Sequence, residues 1–138
     1  MDWKDKCFQK LDHAGLFENR EHKRRFKELI DCYASYPFFT KGLCKCMYLS
    51  AWDDEHFFIM LEMMAALTAG KESDTKEMRE NGDALAQEHH DSEYYVYELS
   101  NAFLDEKEYD LDASADISPD VRYIIEQALK ASDIIESI

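Results

Sequence analysis

A chain of 138 residues is long enough for one hydrophobic core and short for two. With 46% apolar and 13% aromatic residues it is too hydrophobic to stay unfolded, despite 33% charged residues. A formal net charge of −14 disfavours contact with nucleic acid or anionic lipid headgroups and favours a basic partner.

Four glycines and two prolines are few for a chain that turns often. The composition therefore predicts an all-α fold, a single domain over residues 1–138 formed as a bundle of five to six helices. Asp2–His13 carries Trp3, Cys7, Phe8 and Leu11 at helical spacing, and Gly15 can take the left-handed conformation that ends such a helix. Asn19 is an N-cap for a second helix with an apolar face of His22, Phe26, Leu29, Ile30 and Tyr33. Its basic run Lys23, Arg24, Arg25 and Lys27 is expected mostly on the opposite side. Ser35–Pro37 then restarts the chain.

Phe38–Ala51 reads as a helix with a costly interior Gly42, and a strand over Leu43–Leu49 is its alternative. Asp53, Asp54 and Glu55 favour a helix N-terminus, and Phe57–Gly70 is a fourteen-residue apolar run interrupted by Glu62. A bilayer crossing needs roughly 20 such residues, so this run is expected as a buried, central helix closed by Gly70. Asn81–Gly82 marks a break, and Asp83 opens a long helix with Leu85, His89, Ser92, Val96, Leu99 and Phe103 on one face. Ser118 and Pro119 cap and start a last helix with Val121, Ile124, Ile125, Ala128, Leu129 and Ile135 inward.

Met1–Lys10 holds two Asp and three Lys around isolated apolar residues, which does not suit a secretory segment. Cys7, Cys32, Cys44 and Cys46 are accordingly expected reduced, in a cytoplasmic protein with no membrane association.

The charge is unevenly placed. Residues 72–120 hold three Lys or Arg against sixteen Asp or Glu, a net −13 of the total −14. Within them, Asp105–Asp120 ("DEKEYDLDASADISPD") spaces oxygens at Asp110, Asp112, Ser114, Asp116 and Ser118 as a calcium loop does. Ala115 stands where the loop's sharp turn wants Gly, and Val121 where a bidentate Glu belongs, so calcium is not expected. A transition-metal site would draw on His56, His89 and His90, with Asp53 and Glu62. The chain offers a single Asp-x-x-His, and beside the Cys44 and Cys46 pair the other cysteines, Cys7 and Cys32, are lone. No phosphate loop, Gly-x-Ser-x-Gly or Cys-x-x-Cys is present. Neither a cofactor nor an enzyme is therefore the expectation, and a metal-dependent enzyme built on the three histidines is the alternative.

The pattern "FENREHKRRFKELI", Phe17–Ile30, followed by a hydrophobic helix and an acidic restart, resembles the opening of an uncharacterised family of small helical proteins. That family occurs in Gram-positive gut bacteria and their mobile elements. The resemblance covers about the first half of the chain, through Phe17, Asn19, Glu21, His22, Lys23, Phe26, Glu28 and Leu29. It implies no activity. It implies a setting in which small acidic proteins often inhibit defence nucleases, some by imitating DNA.

The reading that follows is an interaction protein that docks on a basic surface, such as that of a nucleic-acid-binding protein, without touching nucleic acid itself. Its partner-binding residues are expected to be Glu88, Asp91, Glu93, Tyr94, Tyr97, Glu98, Asp105, Glu106, Glu108, Asp110 and Asp112. Tyr ringed by carboxylates suits Arg or Lys through cation–π and ionic contacts. The basic run Arg20–Lys27 is expected to meet the acidic segment, within the chain or across a homodimer.

Overall fold

A computed structural model describes residues 3–36, 39–68, 92–109 and 117–138, and these form an all-α bundle. Its helices are α1 (Trp3–His13), α2 (Arg20–Tyr33), α3 (Lys41–Ser50), α4 (Asp54–Thr68), α5 (Ser92–Leu104) and α6 (Pro119–Glu136). Gly70, the Asn81–Gly82 break, Asp83, Leu85 and His89 lie outside the described residues, as does Pro37.

Side-chain and glycine caps set several boundaries. Gly15 has φ +69°, its N–H donates to the Asp12 carbonyl at 3.1 Å, and the Leu16 N–H reaches back to Leu11 at 3.2 Å. This is the Schellman closure that a left-handed residue permits. Asn19 Oδ1 accepts from the His22 N–H at 2.8 Å, and Thr40 Oγ1 accepts from the Leu43 N–H at 3.1 Å. Ser118 Oγ accepts from Val121, with Pro119 at the first helical position. Each cap satisfies a donor that the helix itself leaves without a partner.

The central element is α3, not the Asp54–Thr68 helix that the long apolar run suggests. From Gly42 to Leu49 every residue of α3 is buried, and the helix packs against α2, α4, α5 and α6. Leu43–Leu49 is thus helical and not a strand. By contrast, among the described residues α4 packs chiefly on α3 and leaves Phe58 60% exposed.

Gly42 explains how α5 reaches the centre. A Cβ there would stand 2.5 Å from the Phe103 carbonyl oxygen. The missing side chain lets the end of α5 lie directly on α3, which is why a residue unfavourable to helices stands inside one. Val96, Leu99 and Phe103 of α5 and Val121, Ile124, Ile125, Ala128 and Ile135 of α6 complete the core. No helix among the described residues is long and apolar enough to cross a membrane.

Candidate functional site

Three cations of the basic run on α2 pair with acids close in sequence. Lys23 pairs with Asp12 at 2.9 Å, Arg24 with Glu21 at 2.8 Å and Glu28 at 3.6 Å, and Lys27 with Asp31 at 3.4 Å. Arg25, expected on the outer side, is buried. Its guanidinium donates to Asp54 at 2.7 Å and to the Ala51 carbonyl at 3.2 Å. The end of α3 and the start of α4 supply both acceptors, so the side chain is drawn inward. Among the described residues none of these pairs reaches the acidic segment, most of which lies outside them.

The acids of that segment are placed differently. Glu98, Asp105, Glu106 and Glu108 are all exposed. Among the described residues Glu98, Glu106 and Glu108 have no ion-pair partner. Glu88, Asp91, Asp110 and Asp112 lie outside the described residues, and so do the side chains of Glu93, Tyr94 and Tyr97. Tyr95, their neighbour, is half-buried against the core.

The turn after α5 carries Glu106 in the left-handed region, φ +58°. The Lys107 N–H donates to the Ala102 carbonyl at 2.9 Å and the Glu106 N–H to Phe103 at 3.2 Å. This is the same Schellman closure as at Gly15, with a Glu where Gly is favoured.

Beside this turn lies an open groove of about 840 Å³ between α3, the end of α5 and the last turns of α6. Phe103 and Leu129 lie in its wall and Tyr109 beside them. Lys45, 93% buried by its 7% exposure, lies in it with its ammonium 2.6 Å from Glu136 and 5.8 Å from the centre of the Phe103 ring. The hydrogen bond from Lys45 holds the Glu136 carboxyl below its usual range, against the opposing effect of its partial burial. Nothing in the local pattern of α3 singles out Lys45. The signal is long-range, since its carboxylate stands 91 residues away.

The buried histidines among the described residues, His22 and His56, are occupied by structural hydrogen bonds. His22 is fully buried among Phe17, Phe26 and Tyr48. Its Nδ1 accepts from the Glu18 N–H at 3.0 Å, so Nε2 carries the proton and donates to the Tyr48 carbonyl at 2.8 Å. Burial lowers its pKa to about 4, partly opposed by that carbonyl. Tyr48, buried beside it, gives its hydroxyl to the Leu16 carbonyl, and burial raises its pKa well above the usual value.

His56 is buried with Nδ1 2.7 Å from Asp53 Oδ1, the oxygen that also accepts the His56 N–H at 2.8 Å. Burial would raise the Asp53 carboxyl, but these bonds with the His56 and Arg25 charges leave it lowered. Glu62 is exposed, and His89 and His90 lie outside the described residues. Among the described residues no group of three or more His, Cys, Asp or Glu is placed to hold a metal ion.

Of the calcium-loop positions, Asp110, Asp112, Ser114 and Asp116 lie outside the described residues, and Ser118 is engaged as the α6 cap. All four cysteines are free thiols, Cys32 exposed and the others buried. Cys7, isolated in sequence, meets Cys44 at 3.6 Å between sulfurs. Their contact and burial raise the Cys44 pKa well above the normal thiol value, the environment of a core thiol and not of a reactive one.

No protein-family model, curated protein or solved structure matches this chain. The functional reading therefore rests on the geometry just described.

Proposed function

We propose that this protein is an interaction module whose acidic segment docks on a basic protein, with a nucleic-acid-binding protein as the class of partner and competition with nucleic acid as the effect. The supporting observation is how the charges divide. Lys23, Arg24, Arg25 and Lys27 of α2 each pair with an acid outside that segment, whereas Glu98, Glu106 and Glu108 stand exposed with no ion-pair partner among the described residues. They belong to residues 72–120, which carry a net −13. Closely spaced carboxylates steer association with a cationic surface at low salt and offer a charge density like that of phosphates.

The resemblance of Phe17–Ile30 to small proteins of bacterial mobile elements supports the narrower reading, an inhibitor of a host defence nuclease. The test is charge reversal of Asp105, Glu106, Glu108 and Asp110 to Lys. Affinity for the basic partner is expected to fall at least ten-fold at low salt with helix content unchanged. Undiminished binding by the reversed protein would refute the proposal.

A further inference from the structure

The groove between α3, α5 and α6 holds more carboxylates than its own cations satisfy. Glu136 is taken by Lys45 at 2.6 Å, and Lys41 Nζ donates to the Ile138 carbonyl at 2.7 Å. What remains on its lining is Glu106, Glu108 and Asp133 against Lys107 and Lys41, whose charge the carbonyl does not cancel. Those three acids are exposed and without ion-pair partners among the described residues. A volume of about 840 Å³ lies within the range that holds organic groups, far more than a single ion requires.

The groove also contains a pattern for the occupant. The Lys45 ammonium sits over the Phe103 ring while a carboxylate closes on it from α6. An aromatic wall and a carboxylate together are what a cationic side chain needs when it leaves water. Tyr109, Glu106, Glu108 and Asp133 supply those two components again on the groove's lining. Anionic ligands are disfavoured, because the lining acids Glu106, Glu108, Asp133 and Glu136 outnumber Lys41, Lys45 and Lys107 and the Lys45 ammonium is already taken by Glu136.

Building on the proposed function, we infer that this groove is where the basic partner inserts an arginine or lysine side chain, held by Glu106, Glu108 and Asp133 against the aromatic wall. The acidic segment then supplies long-range attraction and the groove supplies the point of contact.

A dye-labelled hexa-arginine peptide, followed by fluorescence anisotropy on the full chain at low salt, tests this. The groove variant Glu106→Gln, Glu108→Gln, Asp133→Asn is compared with Glu55→Gln, Glu62→Gln, Glu126→Gln, exposed acids outside the groove whose loss changes the net charge equally. The groove variant is expected to bind about ten-fold more weakly and the control within about two-fold of wild type. Amide resonances of Ala102, Phe103 and Leu129 are expected to shift on peptide addition to wild type. Equal weakening of both variants, or shifts confined to other residues, would overturn the groove while leaving the acidic docking surface standing. Absence of any peptide binding by wild type would overturn both. Self-association of the wild type, abolished by the groove variant, would make a second copy the occupant and contradict a foreign partner.

Discussion

His22 and Lys45 show how a polar side chain can belong to the core when each of its polar atoms finds a partner. His22 does so in its neutral form. The unfolded chain takes up a proton near pH 6.5, whereas the folded ring does so only near pH 4. The stability held above about pH 6.5 is therefore lost as pH falls toward 4, by about 3 kcal/mol if the full difference is realised. Urea unfolding across this range should show the decline, and the His22 ring resonances should titrate near pH 4; a midpoint near 6.5 would contradict it.

Lys45 is charged and 7% exposed, but Glu136 is more than half exposed at its side chain, so the two partners are not equivalent. Glu136→Ala leaves a buried ammonium unpaired and should cost about 1–3 kcal/mol. Lys45→Met leaves a solvated carboxylate and should fall within about 1 kcal/mol of wild type. Thermal unfolding of the two variants in the reverse order would refute this account. The placement of His22 was readable from its i, i+4 spacing with Phe26, but that of Lys45 and Arg25 was not. Helical periodicity sends charged residues outward, and the acids that hold these two inside stand 91 and 29 residues away.

At the scale of the helices, caps were legible because each is a local event. Asn19, Ser118 and Gly15 act within a few residues of themselves. The role of α3 was obscured because its interior Gly42 looks like a fault until α5 is seen lying on it. Gly42→Ala improves helix propensity by about 1 kcal/mol, yet it drives a methyl into the Phe103 carbonyl. A net loss of about 1–3 kcal/mol in denaturant unfolding is expected, and a gain would mean that the two helices do not touch there.

The end of α5 was equally hidden, since a Schellman closure is ordinarily marked by Gly and here the left-handed residue is Glu106. Glu106→Gly should raise stability by about 1 kcal/mol by relieving that conformation while weakening contact with a basic partner. Lower stability on this change would remove the strain argument. Positions where stability is forgone for a particular side chain tend to be functional.

For the whole molecule, the composition and helical periodicity were enough to reach an all-α bundle. The groove was not reachable from sequence, because α3, the turn after α5 and the end of α6 contribute to it from distant parts of the chain. What the sequence did convey was the imbalance of charge, and the fold sharpens it by pairing Lys23, Arg24, Arg25 and Lys27 of α2 with acids elsewhere while exposing Glu98, Glu106 and Glu108. A protein built this way should compete with a polyanion for its partner's surface. The measurement closest to that claim is displacement of the bound partner by duplex DNA, with the complex held at low salt. Release that grows with DNA concentration is the expected result, and a complex indifferent to a saturating excess of DNA would contradict the account.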